Sequence, residues 1–286
     1  MGPVTNRYLT VGYAVADPAA LDELVRLADA AGAGEPLLDG GRFVRCHDEA
    51  SGARLNVMVG PDGRVRSVKP SFRPEDPCLL RARLTGLLPD GVDADADVVQ
   101  LAPRHGSYPL AVEFEAGSLA VNRLPFGEEV ELEVVGFAHT MECYPHEDAY
   151  LSSGIPLRMR EVLPAGLVPL AADRGATRSR ATALVSGVVV AVSRRRNAVG
   201  GGEFLHLVID TEGMVLDAVV CPDAVEGPPV EPGRIVTGSM WFVARCREAI
   251  PATVAAGDGS TGPAASEPVP SVPGRVGRSR LFGRQD

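Results

Sequence analysis

Apolar residues near the start of the chain recur with a helical period. Between residues 18 and 31 they are spaced three and four apart, and Leu21, Leu24, Val25 and Ala28 fall on one side. This pattern predicts an amphipathic helix. Asp17 precedes it as an N-cap candidate, Pro18 suits its first position, and Gly32 can adopt the left-handed conformation that ends a helix.

Short apolar runs on both sides of this helix predict strands at residues 8–15, 42–46, 54–59 and 64–69. The sequence Gly60-Pro61-Asp62-Gly63 between the last two has the composition of a hairpin turn. The predicted order is therefore β-α-β-β-β between residues 8 and 69.

The middle of the chain predicts four more strands, at residues 98–101, 110–114, 118–122 and 128–135. In the last of these, Val130, Leu132 and Val134 alternate with glutamates at 129, 131 and 133. Alternation with a period of two predicts a half-buried strand whose three carboxylates face solvent.

Residues 154–180 are rich in proline, glycine and arginine, and a domain boundary is expected there. Strand-like runs follow at 183–192, 203–210, 214–220 and 234–244, and short curved strands of this kind predict a small barrel. We predict an α+β, mostly β protein with an α+β module at 1–160, a linker at 161–180, a barrel module at 181–250 and a disordered tail at 251–286.

Composition narrows the possible partners. The chain has 286 residues, 45% of them apolar, and 37 acidic against 28 basic side chains give a formal charge of -9. That apolar content is enough for a folded core, and the acidic balance disfavours nucleic acid or an anionic membrane as the main partner. Lysine occurs once, at Lys69, and arginine supplies the remaining positive charge, as in high-GC bacterial coding.

The five cysteines are scattered and form no C-x-x-C pair, which favours free thiols in a reducing compartment. The longest apolar run, at 183–192, is too short to cross a bilayer, and the run at 8–13 is too short for a signal peptide. We therefore expect a cytoplasmic protein without a membrane segment.

His139, Glu142, Cys143 and His146 form the densest reactive cluster. Their spacing would line one face of a helix and could bind zinc, but Pro145 disrupts that helix. The principal interpretation is a solvated acidic loop, and the alternative is a metal-dependent enzyme that uses these four side chains.

Arg194, Arg195, Arg196 and Asn197 lead into a glycine run that ends at Gly202. Arginines and loop amides of this kind can hold an anion or a nucleic-acid phosphate, and Trp241 could add a stacking anchor. The principal interpretation is nevertheless a flexible, solvated hairpin arm that protects a sheet edge, with Trp241 in the core.

The C-terminal sequence places Arg280, Leu281 and Phe282 within a run of arginines. Two adjacent apolar residues at the end of a tail predicted to be disordered have the form of a short docking peptide.

The β-α-β-β-β order is similar to one module of the vicinal oxygen chelate superfamily, which implies metal ligands on the first and last strands. Residues 8–15 carry no histidine or glutamate, and residues 64–69 carry no carboxylate, so the metal chemistry is not implied here. The run 183–246 resembles an OB-type barrel, with an SH3-like barrel as the alternative. The combination also resembles bacterial proteins of no assigned activity.

No convincing catalytic set emerges from these patterns. We therefore expect a non-enzymatic intracellular binding or assembly protein, without a cofactor, whose partner is another protein. The alternatives are the metal-dependent enzyme and a barrel that binds single-stranded nucleic acid through Arg194 to Asn197.

Overall fold

A computed structural model describes residues 6–15, 17–31, 33–37, 40–88, 98–105, 108–115, 124–167 and 181–247. They all belong to the unit Met1–Ile250, one of two into which the chain divides, the other being Pro251–Asp286. Strands dominate these residues, which confirms the α+β, mostly β class. No helix within the described ranges is long and apolar enough to cross a membrane.

The N-terminal part is a helix with a four-stranded antiparallel sheet in chain order. Its elements are α1 (Pro18–Ala31), β1 (Ala33–Pro36), β2 (Arg42–His47), β3 (Ala53–Val59) and β4 (Val65–Phe72). The predicted helix and the three predicted strands that follow it are confirmed. The Asp17 carboxylate caps α1 by accepting a hydrogen bond of 2.8 Å from the amide of Ala20.

The strand predicted at residues 8–15 is wrong. Leu9–Val11 forms a 3-10 turn, which Gly12 ends with a φ of 75°. That left-handed conformation takes the chain out of the extended region, and only Tyr13 makes an isolated β-bridge, to Gly201. The sheet of this module is instead completed by β1, after the helix.

A second sheet of ten strands spans the rest of the described chain. Its strands are β5 (Leu79–Leu87), β6 (Val98–Pro103), β7 (Leu110–Phe114), β8 (Glu129–Tyr144), β9 (Val162–Leu163), β10 (Thr182–Arg196), β11 (Glu203–Thr211), β12 (Met214–Val220), β13 (Val225–Glu226) and β14 (Ile235–Cys246). A short helix, α2 (Glu147–Ser152), follows β8. The predicted strands are confirmed except the one at 118–122, which lies outside the described residues.

This sheet closes on itself twice. One ring of hydrogen-bonded neighbours runs β5-β6-β7-β14-β8 and back to β5, with only β7 and β14 parallel. The other runs β8-β12-β11-β10-β14 and back to β8, with only β8 and β12 parallel. We call this arrangement the double barrel, because both rings contain the β8–β14 pair.

The shared pair places one continuous core inside both rings. β8 and β14 pair antiparallel from Leu132↔Cys246 to Tyr144↔Ile235. Buried side chains of the first ring, such as Leu84 and Phe114, belong to the same hydrophobic cluster as Ile209 and Leu216 of the second. The strands of the predicted 181–250 barrel thus close their ring on β8, which lies within the predicted 1–160 module.

Candidate functional site

The polar face of the N-terminal sheet is buried. Leu55 and Val57 of β3 join Leu24 and Ala28 of α1 in one hydrophobic cluster. Successive strand residues point to opposite faces, so the intervening side chains lie on the other side of the sheet. That face carries Arg54, Asn56, Lys69 and Ser71, all of them buried.

Glu113 of β7 and Glu115, the residue after its end, meet this polar face. The Lys69 ammonium contacts one oxygen of Glu113, and the Trp241 indole N–H donates a 3.0 Å hydrogen bond to the other. Ser71 Oγ donates to Glu115 Oε1 at 2.5 Å, and Arg54 Nη1 lies 3.6 Å from that same oxygen. The sheet therefore packs on the double barrel through a layer of opposite charges.

A small cleft opens beside this layer. At its mouth, Arg245 Nη2 donates to both oxygens of Glu133, at 2.8 and 2.7 Å, while Arg73 Nε stands 3.7 Å from Glu133 Oε2. Its lining residues are Arg54, Ser71, Phe72, Arg73, Glu115, Glu133, Val135, Val243, Ala244 and Arg245. We call it the arginine cleft.

Charge in the arginine cleft is incompletely matched. Burial alone would raise the pKa of Glu115, but the Ser71 hydrogen bond and the Arg54, Arg45 and Arg245 charges outweigh it and lower the pKa, so the carboxylate is ionised. Arg54 is 4% exposed, and neither its Nε nor Glu115 Oε2 has a hydrogen-bond partner among the described residues. The buried guanidinium N–H favours an acceptor at this position, and the Glu115 oxygen favours a donor.

Sequence reasoning missed the residues of this cleft. The prediction that the β8 glutamates all face solvent is wrong for Glu133, which is buried under Arg73 and Arg245. The available signal was the alternation of Arg54 and Asn56 with apolar residues in β3. Alternation shows that the strand has two different faces, but it does not show which layer covers the polar one.

The arginine stretch does not form a flexible arm. Arg194, Arg195 and Arg196 are the last residues of β10. Arg194 pairs with Glu203 at 3.0 Å, and Arg195 Nη1 donates to the Ser51 carbonyl at 3.1 Å. The Arg195 guanidinium also lies over the Phe72 ring, 5.5 Å from its centroid. Two of the three predicted anion ligands are thus engaged within the chain.

The turn after these arginines is docked on the N-terminal segment. Asn197 is fully buried, and its Nδ2 donates to the Val11 carbonyl at 2.8 Å, while the Gly202 amide donates to the Gly12 carbonyl at 3.0 Å. The Ala198 amide donates to Asp48 Oδ2 at 2.8 Å. We call residues 197–202 with these partners the hairpin clasp. Both polar groups of the Asn197 side chain, a predicted anion contact, are engaged within the clasp, because its oxygen also accepts from two turn amides.

Trp241 lies in β14 and is 7% exposed. Its ring packs at 5.1 Å from the Phe137 ring and under the Arg7 guanidinium, in addition to its bond to Glu113. It is therefore a core residue beneath the N-terminal sheet, and it does not present a stacking surface to solvent.

The predicted metal ligands are not assembled. β8 continues to Tyr144, so His139, Glu142 and Cys143 lie on a strand, neither on a helix nor in the predicted loop. Cys143 faces inward and is buried, whereas Glu142 is exposed and bonds the Tyr144 hydroxyl. His146 is the N-cap of α2, where its Nδ1 accepts from the Ala149 amide. In the part of the chain that the structure describes, no three His, Cys, Asp or Glu side chains could hold one metal ion.

A histidine, a carboxylate and a cysteine do meet at the second ring. His206 Nε2 lies 2.7 Å from Asp217 Oδ1, and the Cys78 amide donates to Asp217 Oδ2 at 2.7 Å. Burial, together with the Asp217 charge, raises the pKa of the Cys78 thiol to about 12. The thiol is therefore protonated at neutral pH and is a poor nucleophile, in contrast to a thiol activated by a neighbouring imidazole.

The predicted docking residues Arg280, Leu281 and Phe282 lie outside the described residues. No protein-family model matches the chain, and no curated protein matches its sequence significantly. The arginine cleft is the opening whose lining includes a buried arginine with an unpartnered N–H among the described residues.

Proposed function

We propose that the chain is a non-enzymatic binding protein that holds a small molecule in the arginine cleft. The observation that carries the proposal is the buried Arg54, which lines the cleft and whose Nε lacks a hydrogen-bond partner among the residues that the structure describes. Binding sites characteristically combine a concave surface with a few convergent polar groups.

The first ring has the strand order of an OB-like barrel. Numbered along the chain, its strands β5, β6, β7, β8 and β14 are neighbours in the order 1-2-3-5-4, with the third and fifth parallel. We therefore propose an OB-like barrel for this ring, and not for residues 183–246 where the sequence suggested it, and an SH3-like order for the ring of β8, β10, β11, β12 and β14. The cleft lies beside β8 and β14 of the first ring, at Glu133, Val135 and residues 243–245, and none of its lining residues belongs to β6 or β7.

The proposal includes a bacterial, cytoplasmic location. The cytoplasm is supported by the five cysteines, which are all free, as is usual in a reducing compartment. A bacterial source is supported by the use of arginine in place of lysine. A protein partner of the C-terminal residues 280–282 remains part of the proposal as a second contact, independent of the cleft.

Retention of small molecules tests the binding role. The purified full chain is incubated with the small-molecule fraction of a bacterial lysate, re-isolated by gel filtration and denatured, and the released compounds are identified by mass spectrometry. Arg73→Gln should lose the retained compound, and Arg81→Gln should keep it. Arg81 is the matched control, because it is another exposed arginine paired with a β8 glutamate, Glu131, outside the cleft.

Two results would contradict the proposal. One is recovery of the same compounds from the wild type and from both variants. The other is conversion of the retained compound into a product during incubation, which would make the protein an enzyme.

A further inference from the structure

We propose that the ligand of the arginine cleft is a small carboxylic acid, bound through its carboxylate; this inference rests on the proposed function of the cleft. The first argument is charge. The lining contains three guanidinium groups, from Arg54, Arg73 and Arg245. It contains two carboxylates, from Glu115 and Glu133, so one positive charge is left for a monoanion to neutralise.

The second argument is the supply of hydrogen-bond donors. Arg54 approaches Glu115 only to 3.6 Å, and Arg73 approaches Glu133 only to 3.7 Å, both beyond a normal hydrogen bond. Arg245, by contrast, places Nη2 at hydrogen-bond distance from both oxygens of Glu133. Two arginines of the cleft thus keep donors for a further acceptor, and the planar guanidinium fork matches a carboxylate in two-point contact.

The third argument is space. Between its walls the cleft leaves room for about one water molecule, less than a carboxylate occupies, so the acid would have to displace the Arg73 side chain to enter. Arg73 has 42% of its side chain exposed and is the one arginine free to swing outward. The remainder of the acid would then extend past Arg73 toward solvent.

Titration with simple anions tests the assignment. Trp241 is the single tryptophan, and through Glu113 it contacts the same charged layer, so its fluorescence reports on the site. Acetate and benzoate are the probes, acetamide is the neutral analogue of acetate, and inorganic phosphate and chloride are the competing anions. Ionic strength is held constant, and the melting temperature is recorded in parallel.

We expect saturable binding of the carboxylates and none of acetamide. Loss of charged hydrogen bonds in Arg73→Gln should weaken carboxylate binding about tenfold or more, and Arg81→Gln should bind as the wild type. Arg73→Lys should lose part of the affinity, because lysine keeps the charge but lacks the planar fork.

The failures are distinguishable. Binding of phosphate or acetamide as tight as that of acetate, removed by Arg73→Gln, would overturn the carboxylate assignment and leave the binding role in place. The absence of a saturable response to any probe, together with no compound retained from the lysate fraction, would overturn both.

Discussion

The N-terminal segment and sheet meet the double barrel at the hairpin clasp and at the arginine cleft, among other contacts, and these two are built differently. In the clasp, backbone groups, the buried Asn197 amide and the Asp48 carboxylate form hydrogen bonds of 2.8 to 3.0 Å. In the cleft, charged side chains face one another, and two of the arginine–glutamate pairs stay beyond 3.5 Å. Fully satisfied polar groups fix a structure, and incompletely satisfied ones favour a ligand.

The most conspicuous sequence motif and the candidate binding site lie in different parts of the fold. The arginine and glycine run from Arg194 to Gly202 is conspicuous in the sequence, yet in the structure it mainly joins two parts of the fold. The residues of the cleft are single charges inside apolar strands. A visible motif is therefore a weaker guide to a binding site than an unsatisfied group in the folded chain.

The largest expected effect is the loss of stability when a buried ion pair is broken, compared with the loss for an exposed pair. Glu115→Gln leaves the Arg54 guanidinium buried without its counter-charge, and we expect a loss of about 3 kcal/mol in the free energy of unfolding. Glu203→Gln breaks the exposed pair with Arg194 and should cost less than about 1 kcal/mol. Urea unfolding measures both.

Equal losses of unfolding free energy in the two variants would show that the buried Arg54–Glu115 pair contributes no more stability than the exposed Arg194–Glu203 pair. The proposed difference between the cleft and the clasp would then be contradicted.

A smaller effect tests the clasp. A Cβ at Gly200 would lie 2.3 Å from the Gly12 carbonyl oxygen, so Gly200→Ala must displace the turn. Such overpacking costs about 1–3 kcal/mol. Gly86→Ala is the control, because a Cβ there meets nothing within 4 Å. The melting temperature should fall for the first variant and stay nearly constant for the second, and a Gly200→Ala protein as stable as the wild type would contradict a tightly docked turn.

The smallest expected effect is a change in the stability difference between wild type and Glu115→Gln at acidic pH. The pKa of Glu115 is lower in the folded chain than in the unfolded chain, where a glutamate titrates near about 4.3. Its contribution to stability is therefore complete above that value and is lost as the pH falls through the folded-state pKa. The stability difference between wild type and Glu115→Gln should narrow below about pH 4, as measured by urea unfolding at several pH values. Parallel stability curves would contradict an ionised Glu115 in the fold.

Local sequence signals predicted most elements. The period of α1 and the turn glycine at 63, with its φ of 76°, act over a few residues, and the structure confirms both. The residues 8–13 alternate like a strand, but the left-handed Gly12 turns the chain, and a propensity pattern does not reveal which glycine takes that conformation.

The features that the sequence did not predict depend on pairing between strands that are far apart in the chain. β8 is longer than predicted because β14, about a hundred residues later, pairs with it as far as Tyr144. The cleft depends on the same kind of event, since Arg54 comes from β3, Glu115 from the residue after β7 and Arg245 from β14. A single sequence predicts which side chains share one face of a strand, but it does not predict which strands lie next to it.

The shared β8–β14 pair has a consequence for synthesis of the protein. β14 ends at Cys246 and is the last described strand, yet each ring needs it for closure. On the ribosome, both barrels must therefore stay open until that strand has left the exit tunnel. Until then, the strands that pair with β14 have an unpaired edge. Chains with such distant contacts fold slowly and expose sheet edges in the meantime, so the nascent protein is expected to depend on chaperones in proportion to the translation time of residues 145–246.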